Sequence, residues 1–193
     1  MNSVDDVAAA VEAGKLVVIP TDTVYGLACR PDREDAVRAL STLKLRSPDQ
    51  PIALVASGVE PLRELIPELQ VDDLFVRAAL TLVLPNPARR LPWLTGDKRD
   101  TIGVRIPDVA GVAAELLSRV GIVAATSANL HGGADPRRVG DIPSEILHGI
   151  AAVLDVGALP GTPSTVIDLT GPEPRVLREG AIPAAEALAR YAK

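Results

Sequence analysis

Hydroxyl-bearing side chains follow the first strongly apolar segment of the 193-residue chain. The segment LVVIP at 16–20 is typical of a buried strand, and Thr21, Asp22, Thr23 and Tyr25 come directly after it. One interpretation is a turn or helix cap, because Thr and Asp satisfy backbone N–H groups well. The other is a ligand site, because an open α/β sheet presents its ligand crevice at the ends of strands.

Two cations lie two positions apart in KLRSPDQP at 44–51. Lys44 and Arg46 come at the end of a stretch with helical spacing, and a helix C-terminus favours positive charge without any function. The alternative is an anion site, since the Lys point charge and the planar Arg fork both suit phosphate oxygens. In that interpretation Pro48 and Pro51 stiffen the loop that presents the two cations.

A single charged side chain, Arg105, interrupts the apolar pattern TIGVRIP at 101–107. A long Arg side chain can extend to the edge of a sheet and keep its charge in water. The same side chain, flanked by Val104 and Ile106, is also suited to meet a carboxylate or a phosphate. The sequence leaves both interpretations open.

A second polar pair ends the apolar run GIVAA, in the segment ATSAN at 125–129. Ser127 and Asn129 are two positions apart, and side chains two apart on an extended backbone point the same way. Both could therefore donate to one ligand, although a turn or helix cap also explains them. Ser164 at the start of a later strand and Arg178 in LREG are further candidates of the same kind.

The apolar periodicity predicts alternating strands and helices. Short aliphatic runs bounded by Pro, Gly or Asp predict strands at 16–20, 51–56, 80–85, 101–107, 121–127 and 164–169. Helical spacing predicts helices at 4–13, 33–43, 58–66, 109–119, 143–149 and 183–191, the first beginning at Asn2 or Ser3. Because STVIDL, GPEP and RVLRE resemble a hairpin, we expect an α/β fold with a mixed sheet, in one domain over 1–193.

Composition narrows the classes of function. The formal net charge of −5 argues against a surface that is basic throughout and binds nucleic acid over its whole extent. One cysteine excludes an internal disulfide, and two histidines offer little for a zinc site. No apolar run approaches a membrane span, and the acidic start does not resemble a secretory signal, so a cytoplasmic location and no membrane partner are expected. The common nucleotide loops, G-x-x-x-x-G-K-[ST] and G-x-G-x-x-G, are absent.

Taken in order, these segments resemble one family, the YrdC-like domain of the threonylcarbamoyl-AMP synthases. The K-x-R motif of the family corresponds to Lys44-Leu45-Arg46, and its S-x-N motif to Ser127-Ala128-Asn129. PTDTVYGL, GVRIP, STVID and the LR-x-G ending occur in the same order as in the family, and the resemblance runs from about residue 10 to about residue 182. It implies a twisted, mixed open sheet flanked by helices, with a concave ligand cleft.

The resemblance also implies a reaction and a site. L-threonine, bicarbonate or CO2, and ATP would give threonylcarbamoyl-AMP and pyrophosphate for tRNA threonylcarbamoyladenosine, with Mg²⁺ held mainly by the triphosphate rather than by a protein metal site. Catalytic roles on the phosphate and carbamate groups fall to Lys44, Arg46, Ser127 and Asn129. Substrate contacts fall to Thr21, Thr23, Tyr25, Arg105, Ser164 and Arg178.

Within that set, the resemblance gives individual roles. Thr21 and Thr23 would meet the hydroxyl or amine of threonine, and Tyr25 would border the nucleotide. Arg105 and Ser164 would suit the threonine carboxylate, and the resemblance places Arg178 on the nucleotide side.

The chain departs from the family at two positions, Ser47 after the K-x-R arginine and His131 after S-x-N, and it resembles the short form without a further C-terminal domain. Two other functions stay open: a YrdC-like RNA-binding module without synthase activity, and a related enzyme that adenylates another carbamate. The synthase interpretation implies separate downstream proteins that transfer the threonylcarbamoyl group to tRNA, with at most weak contact between this chain and RNA.

Overall fold

The computed structural model describes residues 2–47, 49–69 and 77–191. Within these ranges the strands are β1 (Val17–Pro20), β2 (Tyr25–Cys29), β3 (Ala53–Ala56), β4 (Leu80–Pro85), β5 (Thr101–Arg105), β6 (Ile122–Ser127), β7 (Ala152–Val153), β8 (Thr165–Asp168) and β9 (Arg175–Arg178). The α-helices are α1 (Val4–Glu12), α2 (Glu34–Leu43), α3 (Val59–Leu65), α4 (Gly111–Val120), α5 (Ser144–His148) and α6 (Ala184–Ala189). Pro48, expected to stiffen its loop, lies outside the described residues.

All of these strands join one sheet in the order β7-β1-β2-β6-β3-β5-β4-β8-β9. The pairs β1–β7, β3–β5 and β4–β8 are parallel, and the other neighbouring pairs are antiparallel. The predicted mixed sheet is therefore confirmed, as is the hairpin of β8 and β9. Each of the six predicted strands and six predicted helices is present, with ends that differ by no more than a few residues.

Two strands were not predicted. Residues Tyr25–Cys29 form β2, which pairs with β1 through the turn that contains the hydroxyl-rich run. Every residue of β2 is buried, so the segment lacks the polar alternation that marks a half-exposed strand. The strand Ala152–Val153 is two residues long, which is too short for any periodicity to show.

The first helix begins where its capping residues predict. The Ser3 hydroxyl accepts a hydrogen bond from the Asp6 backbone N–H at 3.1 Å, and the Asp6 carboxylate accepts from the Ser3 N–H at 2.8 Å. This reciprocal pair satisfies N–H groups that a helix start otherwise leaves unpaired. The apolar face of α1 then packs against α4.

The two faces of the sheet are covered differently. One face packs against α2, α3, α5 and α6 and forms the larger core, which contains the buried side chains of Leu27, Leu54 and Val104. On the other face, α1 and α4 cover Val17, Val123 and their neighbours. Beyond these two helices the second face is open over β3, β5 and β4, and this opening forms a concave cleft. No helix of the described residues is long and apolar enough to cross a membrane.

Candidate functional site

The cleft has a volume of about 480 Å³ and lies on one face of the central strands. Alternate residues line it on β3 (Ala53 and Val55) and on β5 (Gly103 and Arg105), and the end of β6 contributes Ala125, Thr126 and Ser127. The alternation follows from the two-residue period of a strand. The volume lies within the range of about 300–1,000 Å³ typical of ligand pockets.

Small side chains keep the floor of the cleft open. Ala53 pairs with Ala125 across β3 and β6, and a Cβ built on Gly103 would lie 3.5 Å from the Cβ of Ala53. Gly26 on β2 pairs with Ser127 at one side of this floor. A leucine or phenylalanine at these positions would project into the space that a ligand needs, because successive inward side chains rise from the same face.

Arg46 lines the cleft as predicted, and neutral groups fix its orientation. Its Nη1 donates to Thr126 Oγ1 at 3.1 Å and its Nη2 to the Pro51 carbonyl at 2.6 Å. The Nε atom is buried and has no hydrogen-bond partner. Burial lowers the pKa of this guanidinium from its ordinary value. A buried donor without a partner is uncommon, so Arg46 is prepared to bind an additional acceptor.

Lys44 does not line the cleft, contrary to the expectation that it faces the ligand beside Arg46. It is 3% exposed, and its Nζ donates to the Ser127 carbonyl, to the Asn129 carbonyl at 2.7 Å and to Asn129 Oδ1 at 2.9 Å. These three acceptors use all three hydrogens of an ammonium group. Burial, together with the nearby charge of Arg46, lowers the pKa of Lys44 to about 8.

Ser127 and Asn129 lie together at the end of β6, but they bond to each other rather than pointing jointly at a ligand. The Ser127 hydroxyl donates to Asn129 Oδ1 at 2.7 Å, and Asn129 Nδ2 donates to the Gly133 carbonyl at 2.6 Å. Ser127 lines the cleft, whereas Asn129 is 8% exposed and lies behind it. Lys44 and Asn129, which are some eighty positions apart in the sequence, therefore hold the loop that presents Ser127.

The opening hydroxyl run forms a turn, as one interpretation expected, and it also borders the cleft. Thr21 Oγ1 donates to the Val24 carbonyl at 2.8 Å and accepts from the Thr23 and Val24 N–H groups at 3.2 Å, as a turn requires. Thr21 and Thr23 also line the cleft, and their hydroxyls share a hydrogen bond of 2.9 Å. The turn thus places two hydroxyls on the wall of the cleft.

Arg105 lines the cleft close to these hydroxyls. Its Nη2 donates to Asp22 Oδ1 and, at 3.1 Å, to Thr23 Oγ1, while its Nε is buried without a partner. Burial lowers the pKa of Arg105, and the Asp22 carboxylate opposes that shift. The sheet-edge interpretation is excluded, because the side chain is 8% exposed.

Ser164 and Arg178 meet at the β8–β9 side of the cleft. The Ser164 hydroxyl shares a hydrogen bond of 2.8 Å with Thr81 Oγ1, and Arg178 Nη2 donates to the Ser164 carbonyl at 2.8 Å. Gly180, the glycine of the LREG segment, approaches the protein backbone closely. A Cβ at this position would overlap the Pro163 carbonyl oxygen and lie 2.6 Å from the Ser164 carbonyl carbon.

Tyr25, which was expected to border the nucleotide, does not line the cleft. The side chain is fully buried, and its hydroxyl contacts Asp155 Oδ1 at 2.9 Å, the Gly157 carbonyl at 2.8 Å and the Val156 N–H at 3.0 Å. Burial raises the pKa of Tyr25 to about 12, so the hydroxyl keeps its proton. Because Tyr25 lies in β2, its alternation directs it into the larger core and away from the cleft.

Asp22, Thr81 and Thr126 are polar residues at the cleft to which the sequence assigned no individual role. Asp22 and Thr126 are next to predicted site residues in the sequence. Because a buried guanidinium needs hydrogen-bond acceptors nearby, this position was a signal that could have identified them. Thr81 lies in the otherwise apolar run LTLVLP, where a single hydroxyl suits a core strand equally well. Asp49, Asp97 and Asp135 also line the cleft, and the described residues contain no cluster of three or more metal-binding side chains.

Comparisons with known proteins agree with this geometry. Residues 9–180 match the family model Sua5_yciO_yrdC, which is described as telomere recombination. A Mycobacterium tuberculosis protein provisionally named threonylcarbamoyl-AMP synthase is 36% identical over 179 residues, which cover 90% of this chain and 82% of that protein. The threonylcarbamoyl-AMP synthase of Shigella boydii is 33% identical over 180 residues, which cover 86% of this chain and 93% of that protein.

The fold agrees with a solved structure as well. The crystal structure of P. abyssi Sua5 complexed with L-threonine has a TM-score of 0.86 and 32% identity to this chain. The match covers 97% of this chain and 56% of that longer one, so the present chain spans little more than half of the relative. The sheet, the cleft and these matches together show that the chain belongs to the Sua5/YciO/YrdC family.

Proposed function

We propose that this protein is an L-threonylcarbamoyladenylate synthase, which converts L-threonine, bicarbonate or CO2, and ATP into threonylcarbamoyl-AMP and pyrophosphate for tRNA threonylcarbamoyladenosine biosynthesis. The observation that carries the proposal is a pair of buried Nε atoms without partners, on Arg46 and Arg105, in one cleft. Each is explained if an anionic substrate group supplies the missing acceptor. The reaction brings a carbamate and a triphosphate together, and both are anionic.

The chemistry needs positioning and fixed positive charge more than a general base. The threonine amine takes up the carbon as a carbamate, whose oxygen attacks the α-phosphorus of ATP. A P–O bond forms, and the bond from that phosphorus to the departing pyrophosphate breaks. Transfers of this type depend mainly on orientation and electrostatic stabilisation. Arg46 and Ser127 line the cleft, and this position supports assigning them to the phosphate and carbamate oxygens.

Lys44 and Asn129 support the same wall from behind it. The Lys44 ammonium bonds the backbone on both sides of the Ser-Ala-Asn motif, so it fixes the end of β6 and adds positive charge near Arg46. A preorganised donor does not have to reorient during the reaction. In this proposal Arg46 and Ser127 are catalytic, whereas Lys44 and Asn129 are positioning residues.

We assign the amino-acid substrate to the part of the cleft away from Arg46, and we call this part the amino-acid end. Its residues are Thr21, Thr23, Arg105 and Ser164. The two threonine hydroxyls suit the hydroxyl or amine of L-threonine, and Arg105 Nε suits its carboxylate. A site that pairs a substrate hydroxyl rejects an analogue without it more strongly than an apolar site does. Arg178 is assigned to the nucleotide side, and Tyr25 to holding the loop around Asp155.

ATP acts as a substrate, with Mg²⁺ held mainly by its triphosphate. Mg²⁺ is usually bound by one or two carboxylates together with substrate phosphates. The cleft supplies carboxylates at Asp49, Asp97 and Asp135, which fits such a partner. The product would pass to separate proteins that transfer the threonylcarbamoyl group to tRNA, and a cytoplasmic location and weak direct RNA contact stay predictions.

The test is release of pyrophosphate by purified protein with ATP, Mg²⁺ and bicarbonate. We expect release with L-threonine and much less with L-valine, in which a methyl group replaces the hydroxyl. Arg46→Ala should abolish release and leave the circular dichroism spectrum unchanged, whereas Arg30→Ala, which removes an exposed arginine outside the cleft, should not. Absence of release with every amino acid would refute the proposal, and RNA binding that falls steeply with salt would then favour the binding-module alternative.

A further inference from the structure

The charge of Arg105 is balanced by a buried carboxylate. Asp22 accepts from Arg105 Nη2 through Oδ1 and from the Asp108 N–H through Oδ2 at 3.0 Å. The two side chains are 8% and 11% exposed, so little water separates or screens them. Because both of its oxygens are bonded, Asp22 is held beside the guanidinium and cannot turn away.

Asp49, Asp97 and Asp135 also line the cleft, and the charge of Asp135 acts on the nearby Lys44, but within the described residues none of these carboxylates is ion-paired with Arg46. The hydrogen-bond partners of Arg46 are neutral, the Thr126 hydroxyl and the Pro51 carbonyl, and no ion pair of Arg46 is found within 2–47, 49–69 and 77–191. The buried Lys44 adds further positive charge close by. Arg178 does add a cation near Arg105, but its side chain is exposed and water and salt screen its field. The two arginines therefore differ in their immediate partners, because a carboxylate is bonded to Arg105 and only neutral groups are bonded to Arg46.

We propose that Asp22 determines the class of ligand that the Arg105 end accepts, favouring a zwitterionic amino acid over a phosphate group. A phosphate bound to Arg105 would also lie near the Asp22 carboxylate, and a close like-charge contact is strongly unfavourable. A zwitterion carries both a carboxylate for Arg105 Nε and an ammonium for the field of Asp22. The same carboxylate thereby keeps the triphosphate from binding at the wrong end of the cleft. This inference rests on the proposed function for the identity of the amino acid.

The experiment compares binding of inorganic phosphate to the wild-type protein and to Asp22→Asn by thermal shift and calorimetry. Saturating α,β-methylene-ATP occupies the nucleotide end in both proteins. We expect Asp22→Asn to bind phosphate at least about tenfold more tightly than wild type, because a charged repulsion has been removed. L-threonine should displace this phosphate from the variant, since both ligands then use Arg105.

The matched control is Asp32→Asn, which makes the same change of charge in an Asp–Arg pair outside the cleft. It should bind phosphate as the wild type does. Asp22→Asn leaves a buried arginine without its counter-ion, so it is purified in phosphate buffer and exchanged into phosphate-free buffer. If it does not fold, Asp22→Ser, which leaves room for water beside the guanidinium, takes the same test.

Unchanged phosphate affinity in a folded Asp22 variant would overturn the inference, and so would phosphate that L-threonine does not displace. The measurement depends on binding alone. If the wild-type protein released no pyrophosphate, the proposed function would fail while the comparison of phosphate affinities would still decide whether Asp22 excludes anions. Phosphate binding that is equally tight in Asp32→Asn would show a general charge effect and would also contradict the role of Asp22.

Discussion

Replacing Tyr25 by Phe removes one hydroxyl from the core and tests how the loop around Asp155 is held. The hydroxyl can donate one hydrogen bond, to Asp155 Oδ1 or the Gly157 carbonyl, and it accepts one from the Val156 N–H. With a net contribution of about 0.5–1.5 kcal/mol per hydrogen bond, the substitution should cost about 1–3 kcal/mol of unfolding free energy. The ring stays in place, so no cavity adds to this value.

Urea denaturation followed by circular dichroism measures the change, with an unchanged m-value as evidence that only stability has shifted. A double-mutant cycle with Asp155→Ala should show coupling, because the two groups share a hydrogen bond. The raised pKa of Tyr25, about 12 against an ordinary 10.0, adds a pH signature. The contribution of the Tyr25 hydroxyl to stability is complete below pH 10, since the hydroxyl is protonated there in both the folded and the unfolded protein. This contribution is lost as the pH rises towards 12.

A loss of unfolding free energy below about 0.5 kcal/mol for Tyr25→Phe would refute the reasoning, because removing a hydrogen-bonded buried hydroxyl should cost more than that. Additive effects of the two substitutions in the double-mutant cycle would refute it as well. Either result would mean that water replaces the hydroxyl without penalty and that the loop is held by other contacts.

Three further substitutions test other parts of the structure. Gly180→Ala should lower the unfolding free energy by more than about 3 kcal/mol in urea denaturation, since the added Cβ would overlap backbone atoms. The control is Gly171→Ala, whose Cβ would lie 3.8 Å from the nearest atom, and it should change the unfolding free energy little. Thr21→Val should raise KM for L-threonine more than KM for ATP in the pyrophosphate assay, and equal effects would contradict its place at the amino-acid end. The pKa of Asp168 is lowered to about 2, because hydrogen bonds from Thr170 and Arg175 outweigh the desolvation that would raise it. The wild-type protein should therefore lose unfolding free energy as the pH falls from about 4 to about 2. In acid denaturation, Asp168→Asn should lack this loss.

Local patterns in the sequence were sufficient for most elements of the fold. Strand β4 was predicted with its observed ends, and Asn2 or Ser3 was predicted at the start of α1, where Ser3 is the N-cap, because apolar periodicity and capping chemistry are properties of neighbouring residues. Strand β2 was missed for the same reason, since a strand buried on both faces has no alternation to detect. The hairpin of β8 and β9 was found because its turn is local.

The site was predicted in composition and only partly in geometry. Arg46, Ser127 and Arg105 were expected at the cleft, and they line it. Lys44 stands two positions from Arg46 and was expected to share its role, but Leu45 between them has a φ of 53° and the two side chains diverge. A left-handed residue at this position is not marked by any glycine or asparagine, so the sequence carried no sign of it.

The sequence by itself determined which side chains are available for the chemistry and which segments are strands and helices, because both depend on residue type and on spacings of two to four positions. Only the tertiary structure decided which cations face the cleft and which lie behind it. Lys44 meets Ser127 and Asn129, and Arg105 meets Asp22, across more than eighty positions of chain. Such contacts depend on the order of strands in the sheet, which brings distant segments to neighbouring positions and which no local pattern encodes.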